Sequence, residues 1–195
     1  AYSSVENIGI ILLGLGLGLW ARARGDRGLA ALALGGGLLH IWNHAAMKGL
    51  LFLGAGSIVH GAGGRDMERL GGLLRRMPWT GSAVMVGAVA VAGLPPLNGF
   101  MGEWLLYRAI SQAGLQGTGA SYLAAMGGAG ALAAVGGLAA LCFVRLIGVA
   151  LLGAPRGEAA AHAHESPLPI VVPLGLLAVA CIAGGFAAPV LVGVQ

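Results

Sequence analysis

Three ionisable residues, His40, His44 and Lys48, recur at four-residue intervals inside an otherwise apolar stretch running from Leu29 to Val59. In a helix each four-residue step turns by only about 40°, so the three side chains form one stripe roughly 12 Å long. Histidine exchanges protons near neutral pH, and lysine is an amine whose charge state responds to its surroundings. Such a stripe has the makings of a proton relay. A fourth group, Glu103, follows the run Leu94-Pro95-Pro96-Leu97-Asn98-Gly99. Tandem prolines remove two amide donors and push the preceding residue out of the helical region, so Pro95, Pro96 and Gly99 mark a helix break. Helix is predicted to resume near Phe100, which puts Glu103 in a first turn whose dipole favours a carboxylate.

Each of these residues also has a plainer reading. A single membrane histidine commonly serves as an interhelical hydrogen-bond donor. Three titratable groups on one stripe argue against that reading, because an ammonium at the bilayer centre costs at least about 2.5–3.5 kcal/mol. Two imidazoles are too few ligands for a metal or haem site, and Lys48 beside them repels a cation. No metal and no cofactor is therefore expected. The prolines and Glu103 have a plainer role as a kink and a helix cap. Arg145 lies close enough to a loop to snorkel, which makes it an anchor or a secondary member of a path. Glu6 is the other secondary candidate, although Ser3-x-x-Glu6 has the spacing of a capping box.

The elements that must position these groups are predicted as helices over about 5–20, 29–59, 79–111 (broken near 94–100), 121–153 and 169–192. The second is longer than a straight span requires, so it tilts or is irregular near Gly35-Gly36-Gly37. Residues 60–78 alternate charged side chains with Met67, Leu70, Leu73, Leu74 and Met77, the pattern of a short amphipathic helix at the interface. The polar loop 154–167 carries His162 and His164, which, like His60, are expected to be solvated. The loops 60–78 and 154–167 hold five arginines against three in the turn after the first segment, so the positive-inside rule places them on the cytoplasmic side.

Composition agrees with this all-α, polytopic transmembrane bundle containing one proline-broken helix. Of 195 residues, 57% are hydrophobic and 9% charged, whereas a soluble domain has about 25% charged residues. Mean hydropathy is +0.87. The 37 glycines fit close helix packing in lipid. The formal charge of +4 comes mainly from loop arginines and, with no basic stripe interleaved with aromatics, excludes a nucleic-acid partner. Cys142 and Cys181 are expected to be inert core thiols. The chain opens at Ala1 without a Met or a signal peptide, which is the expectation for a fragment.

Four blocks, AYSSVENIGIILLG, HIWNHAAMKGLLFLGAGSIVH, RDMERLGGLLRRMPW and AGLPPLNGFMGEWLLY, resemble successive segments of the antiporter-like proton-translocating membrane subunits. That superfamily includes the large ion-pumping subunits of respiratory complex I, of membrane-bound hydrogenases and of Mrp-type sodium/proton antiporters. The SVENIGIILLG and LPPLNGFMGEW wording is most similar to its hydrogenase-4 and formate hydrogenlyase branch. The resemblance covers roughly residues 1–153. It implies that His40, His44 and Lys48 match the central proton-conducting residues of a second half-channel, and Glu103 the terminal residue, which is Lys in some relatives. It implies two inverted repeats within a bundle of about fourteen helices, of which this chain carries most of the second and lacks the first. The expected partners are the lipid bilayer, other membrane subunits of a hydrogenase or complex I-like assembly and its redox arm, with protons or sodium as the ion. The expected location is the bacterial or archaeal cytoplasmic membrane. Proton translocation is the function implied; the alternatives are a component of an Mrp-type antiporter and a non-conducting membrane anchor.

Overall fold

A computed structural model describes residues 2–191. Its helices are α1 (Tyr2–Ala23), α2 (Arg27–Ala62), α3 (Leu73–Arg76), α4 (Pro78–Val91), α5 (Asn98–Gln116), α6 (Ala120–Leu146), α7 (Glu158–Ala161) and α8 (Leu168–Leu191), and α6 winds on through a wider turn at Ile147–Leu151. Val192, the last residue of the predicted fifth segment, lies outside the described residues. Among the described residues α1, α2, α6 with its wide turn, and α8 are long and apolar enough to cross a bilayer, and α4 is a shorter apolar helix. Large hydrophobic side chains such as Leu12, Trp42, Phe52, Leu138, Leu176 and Phe186 point outward, while Asn7, His40, Asn43, Ser57, Thr80 and Asn98 are buried. This distribution suits lipid, which solvates an apolar exterior and forces polar groups to find partners inside.

Helix α2 is the axis of the bundle and packs against α1, α4, α5 and α8. The Asp26 carboxylate caps its start by accepting the Leu29 amide at 2.9 Å. Gly63, at φ +68°, ends it in the left-handed cap conformation, its N–H donating to the Val59 carbonyl. At 36 residues it is about 54 Å long, more than a bilayer core needs. It runs unbroken through Gly35-Gly36-Gly37, so the irregularity offered by the sequence is absent. The glycines serve packing instead: a Cβ on Gly36 would fall 3.0 Å from Leu105, and one on Gly14 of α1 would fall 3.0 Å from Gly37.

Several expectations are corrected. Ser3 and Glu6 lie inside α1, so the capping box does not form. Residues 60–78 are not an amphipathic interfacial helix: α2 extends to Ala62, turns follow, and only Leu73–Arg76 is helical. Gly63, Gly71 and Gly72 all take positive φ there, which breaks a helix. The apolar members Leu70, Leu73 and Met77 fold inward against Ala150, Leu151, Ala160 and Ala163. Cys142 is exposed on α6, and only Cys181 is a core thiol. Helix resumes at Asn98, not Phe100, so Glu103 stands in the second turn of α5. His60, His162 and His164 are exposed.

Helix α4 has no side-chain cap of its own. Glu165, from the loop before α8, supplies one: its carboxylate accepts the Trp79 amide at 2.9 Å, the Thr80 amide at 3.3 Å and the Thr80 hydroxyl at 2.5 Å. Ser57 of α2 joins the cluster through Thr80 at 2.7 Å and Ser166 at 2.6 Å. Removing such a cap costs about 1–2 kcal/mol. Glu165→Ala is therefore expected to speed hydrogen exchange at the Trp79 and Thr80 amides several-fold while leaving the amides around Leu50 unchanged. Unchanged exchange at both amides would show that the cap contributes nothing.

Candidate functional site

Helices α1 and α2 form an antiparallel hairpin, which sets the first two turns of α1 against the middle of α2. Asn7 is buried and its amide nitrogen donates to the Ser3 carbonyl at 2.8 Å, leaving Oδ1 to accept from His40 Nε2 at 3.0 Å. That pairing puts the imidazole proton on Nε2 and makes Nδ1 the acceptor nitrogen. Nδ1 is buried and has no protein partner. It faces α5 at Gly102, where a Cβ would fall only 2.6 Å away. Glycine at 102 is thus what lets α5 close over the ring, and it places the next residue, Glu103, beside the His40 level of the stripe.

His44 and Lys48 are half-buried. His44 Nε2 is a further buried atom without a protein partner. Lys48 Nζ donates to Ser3 Oγ and lies 5.8 Å from the centre of the Phe52 ring. Glu6, on the same side of α1, is within electrostatic reach of both Lys48 and Glu103. Glu103 packs over the α4–α5 break, where a Cβ on Gly93 would fall 2.7 Å from Oε2. Gly93 adopts φ +65°, so glycine meets both the backbone and the space requirement there.

The break itself is held to α2 by an asparagine pair. Asn43 Nδ2 donates to the Asn98 carbonyl at 2.7 Å, and Asn98 Nδ2 reaches Asn43 O and Oδ1 at 3.4 Å. Asn98 Oδ1 is buried and unpartnered. Buried polar atoms left unpaired cost about 1–3 kcal/mol each. Of these, Asn98 Oδ1 lies at the break itself and His40 Nδ1 faces the first turns of the resumed helix at Gly102.

The structure therefore sets His40 between Asn7 of α1 and Gly102 of α5, turns Lys48 toward Ser3 of α1, the helix that also carries Glu6, and leaves Glu103 over the α4–α5 break at Gly93; His44 lies between His40 and Lys48 on α2. Arg145 stays apart, exposed at the end of α6 and 3.9 Å from Glu68. Sequence reasoning overlooked Ser3, Asn7, Asn43 and Asn98 as parts of the site. The signals were present: Ser3 and Asn7 repeat the four-residue step, Asn43 sits between the two histidines, and Asn98 lies in the proline break. Among the described residues no three His, Cys, Asp or Glu side chains converge to hold a metal.

A helix bundle with a discontinuous span and a carboxylate packed over the gap is an architecture that membrane transporters use. Residues 1–126 match the family of NADH:quinone oxidoreductase and Mrp antiporter transmembrane domains, and the chain belongs to that family. It is 46% identical to formate hydrogenlyase subunit 3 of Escherichia coli (strain K12) over 189 residues, 97% of this chain and 31% of that protein. It is 42% identical to hydrogenase-4 component B of the same strain over 182 residues, 93% of this chain and 27% of that protein. The chain thus spans less than a third of the length of either relative. A chain of the Mrp complex from Dietzia sp. DQ12-45-1b shares the fold, with a TM-score of 0.68 at 20% identity, covering 98% of this chain and 45% of that one.

The His40 pairing is directly testable. Asn7→Leu leaves a buried N–H without its acceptor, which costs about 1–3 kcal/mol. The thermal unfolding midpoint of the purified membrane complex should fall accordingly, and an unchanged midpoint would remove Asn7 from the site.

Proposed function

We propose that this chain is most of the second repeat of an antiporter-like subunit, in which it forms a half-channel that carries protons across the membrane. The observation that supports this most is the alignment of Lys48, His44 and His40 along one helix, with the helix bearing Glu103 closed over the His40 end. Because His40, not Lys48, lies against α5, the relay runs Lys48, His44, His40, Glu103. Glu6 sets the electrostatics at the Lys48 end, and the broken helix gives Glu103 its opening. The 46% identity to formate hydrogenlyase subunit 3 favours a parent complex that couples redox chemistry in partner subunits to ion movement.

Two rivals share this geometry. A component of a cation/proton antiporter would use the same helices with an ion gradient as its energy source, a reading favoured by the 34% identity over 188 residues to a probable K(+)/H(+) antiporter component of Rhizobium meliloti (strain 1021). A packing-only anchor is favoured by the hydrogen bonds of His40 to Asn7 and of Lys48 to Ser3.

Proteoliposomes holding the intact complex and a pH-sensitive dye separate the three. Lys48→Ala and Glu103→Gln are each expected to abolish proton uptake while the complex still assembles. Wild-type uptake in Lys48→Ala would leave only the anchor. Uptake driven by an imposed sodium or potassium gradient without an electron donor would select the antiporter.

A further inference from the structure

At the end of the bundle away from the Glu165 cap, α1 and α6 barely touch, and a groove of 620 Å³ opens between them over a floor of α5. Its walls are apolar or small: Leu12, Gly16 and Leu17 of α1, Ile110 of α5, Ala124 and Gly128 of α6. From Leu12 to Arg24 it follows α1 for about 18 Å, the scale of one acyl chain. Its volume is in the range of a specific ligand site and not of a packing defect.

The groove ends in polar chemistry. A second cavity of 110 Å³ adjoins it, sharing Trp20, Arg24, Ala113 and Ser121 and adding Asp26, Gln116 and Thr118. The Arg24 guanidinium lies 5.0 Å from the centre of the Trp20 ring, a pairing typical of a membrane boundary. Among the described residues no carboxylate pairs with Arg24; the nearby Asp26 is engaged at the start of α2. Arg22 and Arg27 on the same turn add two more exposed cations. An apolar slot that ends at the exposed Arg24 guanidinium, with Ser121, Thr118 and Gln116 beside it, complements a lipid with a negatively charged phosphate head.

We infer that the α1–α5–α6 groove binds an anionic phospholipid, one acyl chain lying along Gly16 and Gly128 and the phosphate held at Arg24. Gly16 and Gly128 offer a clean way to block it, since a Cβ at either position meets nothing within 4 Å. The probe is phosphatidylglycerol, measured as retained lipid adducts by native mass spectrometry of the intact complex, with diacylglycerol, which has the same acyl chains and no phosphate, as the uncharged comparison. Gly16→Leu should remove one phosphatidylglycerol per chain. Arg24→Gln should weaken phosphatidylglycerol retention about fivefold, the effect of one interfacial cation, and leave diacylglycerol unchanged. Full retention in Gly16→Leu, or equal loss of both lipids in Arg24→Gln, would overturn the assignment. Photoreactive benzoylphenylalanine at Leu12 serves if Gly16→Leu fails to assemble: a lipid adduct supports the site, and a crosslink to another protein segment shows that a helix fills the groove instead.

Discussion

A polar group at membrane depth has no water to fall back on, and every other feature of this bundle follows from how α2 meets that constraint. Its inward stripe carries His40, Asn43, Met47, Leu50, Gly54 and Ser57 at alternating three- and four-residue spacing. The polar members each draw a neighbouring element into place. His40 recruits Asn7 of α1, Asn43 recruits the start of α5, and Ser57 recruits Thr80 of α4 and Ser166 before α8. In a hydrocarbon surround apolar contacts distinguish poorly between one helix arrangement and another, so these hydrogen bonds supply the register.

The proline break is stable for the same reason. Interrupting a membrane helix frees backbone groups that must be answered by protein. Here Leu94 N–H returns to the Val89 carbonyl at 3.3 Å and Leu97 N–H to the Leu94 carbonyl at 3.2 Å. Asn43 then takes the Asn98 carbonyl. A gap secured this way leaves room for a carboxylate at its edge without collapsing, and Glu103 occupies that edge over Gly93. Close backbone approach at Gly99, Gly102 and Gly185 keeps α4, α5, α8 and the ring of His40 within reach of one another.

How much of this was legible in the sequence depended on whether the signal was local. The spans, the break and the His40-His44-Lys48 stripe depend on runs and spacings a few residues long, and those can be read directly. Loop 60–78 misled because its alternation is genuine but its apolar side faces the end of α6, a contact more than seventy residues away. Ser3-x-x-Glu6 misled because capping-box spacing is also the spacing of residues that share a helix face, and Ser3 is used by Lys48. Asn7 and Asn98 escaped notice because an amide in a membrane helix carries no charge to flag it, and its partner cannot be read from spacing. Glu165 is the extreme case: a single loop carboxylate whose role depends on a helix start 86 residues earlier.

The same geometry bears on where a proton path can run. Each step from His40 to His44 to Lys48 turns about 40° in one sense, whereas the buried seam from His40 to Met47 turns back by about 20°. The two lines therefore diverge along α2. His40 is shared by both and is fully enclosed, while Lys48 has rotated toward Ser3 and Glu6 of α1. Beyond Asn43 the seam is sealed by Met47 and Leu50, packed with Ala83, Ala90 and Leu174. No polar side chain of α2 bridges from Asn43 to Ser57 along that seam, since Met47, Leu50 and Gly54 occupy every intervening position. On the proposed reading, protons therefore reach Lys48 from the α1 side, and the apolar core between α2, α4 and α8 is the insulation that keeps the Glu165 cluster out of the route.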